Sequence, residues 1–359
     1  MPDVLQVISS SARRGAERFA VALDAEFAKR GLDVATVALV PGGRGAMPVR
    51  SLGTRRRSPA TLLALRAEMA AARVTIAHGS TTLPACVVAG VGLRRPVVYR
   101  NIGDPAYWGT SRRRRVQTQF LLRRATLVVA LTDATRARLI GMYGLDPARV
   151  IVMSRGVSES EFPHRTAESR RAGRQRFGLG DAILVAAYVG SLTPEKDLLN
   201  AVRAIADLPE WQLMVAGEGP DGSEAERVAA ELAPGRVHLL GALDEPASLM
   251  AAADVLVVPS RTEGLAGVAI EASLVGIPTV ATEVGFMDEI VVDGVTGRLV
   301  PPGDHRALAV ALAEVASHAD EMGEAAYRHA RDRFALSVVA DRWHAVVRTV
   351  LDGGLPGSG

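Results

Sequence analysis

Cys86 is the single cysteine in 359 residues, so the chain can form neither an internal disulfide nor a cysteine metal cluster. No stretch approaches eighteen consecutive apolar residues, which argues against a membrane-spanning helix. The opening residues, MPDVLQVISSS, lack the basic flank and cleavage site of a signal peptide and read as a first strand. Metal-ligating patterns are missing as well: there is no D-x-D, no H-x-x-x-H and no cysteine pair. Neither a G-x-S-x-G elbow nor a Walker sequence occurs. These absences together predict a cytoplasmic protein that uses no metal. Lysine is scarce too. Only Lys29 and Lys196 are lysines among 42 basic residues; a GC-rich genome explains the bias and makes a retained lysine worth inspecting.

What is present is a substantial core-forming chain, 48% hydrophobic and 23% charged. That suits one large or two medium domains. The net charge of +3 is unevenly placed. Residues 1–165 hold 26 basic and 11 acidic side chains, a net of +15 against −12 for the remainder. Such asymmetry suggests two domains and a basic face on the first. Strand patterns fall at 3–8, 33–39, 74–77, 96–100, 126–130 and 150–152, then at 182–189, 211–216, 236–240, 254–258, 278–281 and 298–300. Helical patterns lie between them at 16–30, 59–72, 113–124, 133–143, 196–206, 223–233, 246–252, 267–275 and 305–317. Alternation of helices with mostly apolar strands predicts α/β domains with parallel sheets covered on both faces. The polar, arginine-rich stretch 159–180 separates two such sets. The expected organisation is therefore two facing Rossmann-like domains, 1–165 and 166–336, with a final helical segment, about 337–359, returning to the first. Ligands in such folds sit beyond the carboxyl ends of the strands.

Four loops after strands carry candidate chemistry. In SSSARRGAERFA, Gly15 and the Arg13–Arg14 pair would suit a phosphate at a helix start; a plain strand-to-helix turn explains the same residues. In VGSLTPEKD, Lys196 opens a helix as a mobile charge for a phosphate, or is simply a surface lysine. In VAGEGPDG, Gly217, Gly219 and Gly222 match G-x-G-x-x-G, with Asp244 about twenty residues on, a weak dinucleotide signal. The fourth is TEGLAGVAIEASLV, where Glu263 and Glu271 stand eight residues apart. They could form an acid/base pair, a metal clamp, a pair of hydroxyl-binding groups or solvated helix charges. Eight helical steps turn roughly 80° beyond two full turns and climb about 12 Å, too far to share a proton or a metal. With Glu263 in the loop, both can grip different parts of one ligand, which favours hydroxyl recognition. His78, at the end of a strand, is the most site-like of the seven histidines, although a lone histidine there is more often structural than catalytic.

The order of these motifs resembles one family, the retaining glycosyltransferases of family 4, with their two-Rossmann GT-B fold. Segment 253–304, containing ADVLVVPSRTEGLAGVAIEASLVGIPTVATEVGF, is similar to the family's donor-site signature, and Glu263 and Glu271 match its E-x7-E pair. VGSLTPEKD, MVAGEGP and VHLLGALDE match the preceding motifs in order, and RRGAERFA is similar to the acceptor-side glycine loop. The resemblance implies that Glu271 holds ribose hydroxyls. Glu263 would contact the donor sugar beside the backbone of Gly264, Leu265 and Ala266. Lys196 would neutralise the diphosphate with help from Gly15, near Gly190 and Ser191. The base would lie by Gly241 and Leu243. Co-substrate would be a UDP- or GDP-sugar, with no cofactor required.

Two departures stand out. Ser191 replaces the family's usual arginine, leaving Arg13, Arg14 or Arg261 to supply a phosphate contact. Asn101 stands where a histidine is usual, and Asn101 or Asp104 would reach the sugar or acceptor instead. Arg14, His78, Arg100, Asp104 and Trp108 are the acceptor-side candidates, and Glu263, Lys196 and Asn101 the catalytic ones. The implied activity is a bacterial hexosyl transfer with retention to a small molecule or secondary metabolite, without nucleic acid. A second reading is an enzyme of lipid-linked glycans or glycolipids, peripheral to the inner membrane face through Arg112–Arg115, where SRRRRVQTQFLLRRA interleaves arginines with Val116, Phe120, Leu121 and Leu122. A remote third is a nicotinamide-dependent oxidoreductase resting on residues 217–222.

Overall fold

The computed structural model describes residues 1–12, 15–43 and 45–355, with Tyr107 by its backbone alone. The chain divides into two compact units, Met1–Gly156 with Leu336–Gly359, and Val157–Ala335.

The first unit is a seven-stranded parallel sheet of β1 (Val4–Ser10), β2 (Val34–Val40), β3 (Arg50–Ser51), β4 (Val74–His78), β5 (Val97–Arg100), β6 (Leu127–Ala130) and β7 (Val150–Val152), in the order β3-β2-β1-β4-β5-β6-β7. β1 pairs with β2 on one side, Val4 opposite Val34, and with β4 on the other, Val4 opposite Val74. Strand order reverses there, so a ligand crevice opens at the carboxyl ends of β1 and β4. Helices α1 (Gly15–Lys29), α2 (Pro59–Ala71), α3 (Thr82–Ala89), α4 (Arg112–Arg124) and α5 (Asp133–Tyr143) connect the strands. Local sequence sets their starts. Ser58, Ser111 and Thr132 each accept an N-terminal backbone N–H of the helix they precede, a standard cap.

The second unit carries β8 (Leu184–Val189), β9 (Trp211–Ala216), β10 (Val237–Leu239), β11 (Val255–Val258), β12 (Thr279–Thr282) and β13 (Gly297–Val300), ordered β10-β9-β8-β11-β12-β13 and again parallel. Its reversal lies between β8 and β11. The helices are α6 (Ala167–Arg176), α7 (Leu198–Ala206), α8 (Gly222–Leu232), α9 (Pro246–Ala252), α10 (Gly267–Val275), α11 (His305–Ala316) and α12 (Ala319–Phe334). The arginine-rich stretch expected as a linker therefore holds α6. Arg174 is 3% exposed and donates to the carbonyls of Ala252, Gly180 and Ile183. Asp254 accepts from Arg170 and from the Val185 N–H. A polar sequence is thus a docked helix, with Arg170 and Arg174 bonded against the sheet.

The chain then re-enters the first unit as α13 (Leu336–Leu351). Trp343, Val339 and Val347 of α13 are fully buried with Phe19 and Leu23 of α1 and with Ile76 and Val98 of the sheet.

Candidate functional site

In the second unit the loops at the reversal are joined by charge. Lys196, in the short 3-10 turn Pro194–Lys196 after β8, places its Nζ 2.6 Å from Glu263 Oε1. Glu263 lies in the exit loop of β11, its side chain 9% exposed. Ser260 Oγ donates to the same oxygen at 2.8 Å. The neighbouring Arg261 N–H donates to the Glu195 carbonyl at 2.8 Å. Its guanidinium lies 3.0 Å from Asp197 Oδ2, an ion contact without hydrogen-bond alignment. Asp197 is the one non-glycine residue with positive φ among the described residues, at +47°. A left-handed aspartate costs of order 1 kcal/mol, and here it turns the chain so that Lys196 faces Glu263.

Glu271 is half-buried on α10, four residues into the helix, and has a partner. Ala266 is the residue before α10, so Gly264 and Leu265 form the turn between the two carboxylates. Gly285, at φ +62°, backs that turn. A Cβ there would lie 2.2 Å from the Glu263 carbonyl oxygen, so no other residue fits. Ser191 is exposed and its carbonyl accepts from Tyr188. Gly190 donates its N–H to Ala216, and Gly241 accepts from Gly217. Leu243 packs on the core beside these loops. The spacing of Gly217 and Gly219 has a packing explanation: Cβ atoms there would fall 1.7 Å from the Gly190 carbonyl oxygen and 2.2 Å from that of Leu192. The glycines admit a neighbouring loop, and Asp244 sits exposed in a separate one. The dinucleotide reading loses its support.

The first unit treats its candidates differently, and the readings of three residues need correcting. Asn101 is fully buried; its amide donates to the Gly103 carbonyl at 2.8 Å. It shapes the turn after β5 rather than reaching out. His78 is likewise buried, with Nε2 2.8 Å from Gln6 Oε1 and its ring edge against Phe19. Burial, and then the charge of Arg100, holds the imidazole well below its ordinary pKa. It is a neutral core histidine. Asp104 caps the turn Pro105–Trp108 through Ala106 and binds Arg138 at 2.6 Å, a structural role as well.

Arg100 is 1% exposed, its guanidinium 4.0 Å above the Phe19 ring, with Nε and Nη1 unpaired among the described residues. Burial and then the nearby Arg155 hold it down to about 9. Gly15 opens α1, where an added Cβ would meet the Arg155 guanidinium at 3.1 Å. Arg13 and Arg14 lie outside the described residues. Trp108 remains a lining residue. With Arg57, Ser80, Arg114 and Gln117 it borders a cavity of about 240 Å³, whose apolar wall includes Leu83. Sequence reading missed Arg57, Ser80 and Gln117; no motif flags them, because folding alone brings three distant segments together. On α4, Arg112, Arg113, Arg114 and Arg115 are exposed, and so are Val116 and Phe120. Only Leu122 of that helix is buried. No helix among the described residues is long and apolar enough to cross a membrane.

Comparison with known proteins bears on the family and the fold. Residues 13–161 match the family described as Glycosyltransferase Family 4, and residues 184–318 the one described as Glycosyl transferases group 1. D-inositol 3-phosphate glycosyltransferase of Mycolicibacterium gilvum is 33% identical over 232 residues, 60% of this chain and 50% of that protein. The protein of the same name from Mycobacterium tuberculosis is 37% identical over 196 residues, 52% of this chain and 40% of that one. The matched stretch thus spans half or less of these relatives' length. HepE of Anabaena, solved in complex with UDP, superimposes with a TM-score of 0.85 at 21% identity, covering 96% of this chain and 99% of that one. At that identity the likeness is one of fold.

Proposed function

We propose, because the chain belongs to the family-4 type of glycosyltransferases with the GT-B fold, that it moves a sugar from a nucleotide diphosphate sugar to a small acceptor bearing an anionic group, with retention at the anomeric carbon. The observation that carries this reading is the Lys196–Glu263 pair at the strand-order reversal of the second unit. A diphosphate needs a cation and a sugar needs an acceptor for its hydroxyls, and the two groups stand side by side there. Glu271 would take the ribose hydroxyls. UDP is the favoured nucleotide, since the solved neighbour HepE was obtained with UDP.

In the proposed course the bond from the anomeric carbon to the phosphate oxygen breaks. The bond to the acceptor oxygen forms on the same face. The acceptor's hydroxyl proton passes to the departing phosphate. Lys196 gains importance as charge grows on that phosphate, a transition-state contribution. Glu263 binds and orients, and no covalent intermediate on it is invoked. On this reading Lys196 supplies the charge that the departing diphosphate needs.

The acceptor reading rests on the 240 Å³ cavity of the first unit, with two arginines, an indole face and small polar groups on its walls. Arginine presents a fork that matches phosphate oxygens. Relatives named for D-inositol 3-phosphate support a phosphorylated polyol of similar size. The test is a transfer assay, read by mass spectrometry, with UDP-sugars and a panel of phosphorylated and plain cyclitols. Arg57→Ala with Arg114→Ala should raise acceptor KM at least about tenfold and leave donor KM alone, a loss in the range of a charge-assisted contact. Equal use of phosphorylated and plain acceptors would sink the anionic part of the proposal.

One observation favours a second reading. Val116 and Phe120 stand 59% and 53% exposed among the arginines of α4, a face suited to an anionic lipid surface. Co-sedimentation with anionic vesicles, lost on neutralising Arg112–Arg115, would support a lipid acceptor.

A further inference from the structure

Glu263 receives two donors on one oxygen. Lys196 and Ser260 both point at Oε1, at 2.6 and 2.8 Å, which leaves Oε2 for a ligand. The donors differ in kind. Lys196 carries its charge on a flexible four-carbon stem that can turn to another anion, and its side chain is 28% exposed. Ser260 is 1% exposed, two residues beyond the end of β11. Its carbonyl accepts from Thr282 Oγ1 at 2.5 Å, and Thr282 ends β12 and is fully buried. Ser260 is therefore fixed to the sheet, whereas Lys196 is free to exchange partners.

That difference matters under the proposed reaction, on which this inference rests. A diphosphate entering the crevice competes with Glu263 for Lys196. If Lys196 were the only donor, the carboxylate would lose its anchor as the sugar arrives. The backbone at Glu263 is already held by Gly285, and Gly264 accepts from the Phe286 N–H. Only the carboxylate's rotation remains to be fixed. We infer that Ser260 is a positioning residue: it keeps the Glu263 carboxylate aimed at the donor sugar while Lys196 is handed from Glu263 to the diphosphate. Ser260 touches neither sugar nor phosphate and acts through Glu263.

A positioning role separates from a structural one because it acts on the sugar half of the donor alone. Calorimetry on the full chain with UDP and with UDP-glucose reads this directly, together with release of UDP from UDP-glucose in water. Ser260→Ala should bind UDP within about twofold of wild type, yet weaken UDP-glucose and slow UDP release by about tenfold each, the loss of one hydrogen bond to a charged group. Ser260→Thr keeps the hydroxyl and should recover both to within about threefold. Unchanged UDP-glucose affinity in Ser260→Ala would overturn the inference. So would an equal loss of UDP and UDP-glucose that threonine fails to restore. A wild-type protein that binds UDP but gains nothing from the glucose contradicts the role given to Glu263, and this inference with it. One that binds no UDP fails the nucleotide-sugar reading itself, recognisable before any variant is made.

Discussion

The two units share a topology and use their carboxyl edges in opposite ways. In the second, opposite charges meet across adjacent loops: Lys196 with Glu263, and Arg261 with Asp197. The two cations are partly accessible and already oriented by their largely buried carboxylates. In the first, the strand-end residues His78, Arg100 and Asn101 turn inward and are buried, and the open chemistry lies further out, around Trp108 and α4. On the proposed reading, a nucleotide diphosphate presents the same groups in every donor, so loops of fixed spacing would meet it, whereas an acceptor varies, and the surface proposed for it is assembled from distant segments.

The largest expected effect breaks the first unit alone. Trp343 is wholly buried between α13, α1 and the sheet. Trp343→Ala should cost about 3–5 kcal/mol, visible in denaturant unfolding as an early transition, with the second unit's transition unmoved. A single shared transition would mean that the units fold as one. Next comes Lys196→Ala, which removes the charge on which the second unit's edge is built. It should lower kcat about 100- to 1000-fold, as loss of one preorganised transition-state donor does. A kcat near wild type would remove the phosphate role.

Smaller effects sharpen the contrast. Asp197→Ala leaves the left-handed turn without its aspartate; Asp197→Gly relaxes it. The glycine variant should be the more stable of the two by about 1 kcal/mol, measured by thermal unfolding. Equal stabilities would mean that the turn carries no strain. Another is seen only in acid. Because His78 stays neutral in the fold, both states are neutral above its unfolded pKa of about 6.5, and below that the unfolded chain takes the proton. Wild type should therefore lose up to about 1.4 kcal/mol per pH unit from this group below pH ~6.5. His78→Gln should show a shallower fall between about pH 6.5 and 5.5; parallel curves would contradict a neutral buried ring.

The sequence was most legible where periodicity is local. The strand patterns fall within a few residues of β1, β2 and β4 to β13, and nine helical runs were visible. Two-residue β3 was too short to register. Helix α3, apolar nearly all round with Cys86 and Leu83 buried, shows no amphipathic stripe. Helix α6 reads as a linker because its inner face is Gly173 and Arg174, a pattern that only tertiary carbonyls make favourable. Within the site, Lys196 could be found as a scarce lysine after a strand, and Glu263 from its spacing to Glu271. Asn101 and His78 were found as strand-end positions, but the direction of a side chain at a strand end depends on its neighbours. Ser260 and Arg57 carried no signal, since their importance lies in what folding places beside them.

The central claim is that the second unit reads the nucleotide, with Glu271 on the ribose. Its most direct test is calorimetric titration of UDP into wild type and Glu271→Ala. Wild type should bind, and the variant should lose about 1.5–3 kcal/mol, roughly 10- to 150-fold in Kd, the expected loss of a charged hydrogen-bond acceptor. An unchanged Kd for UDP would contradict the account.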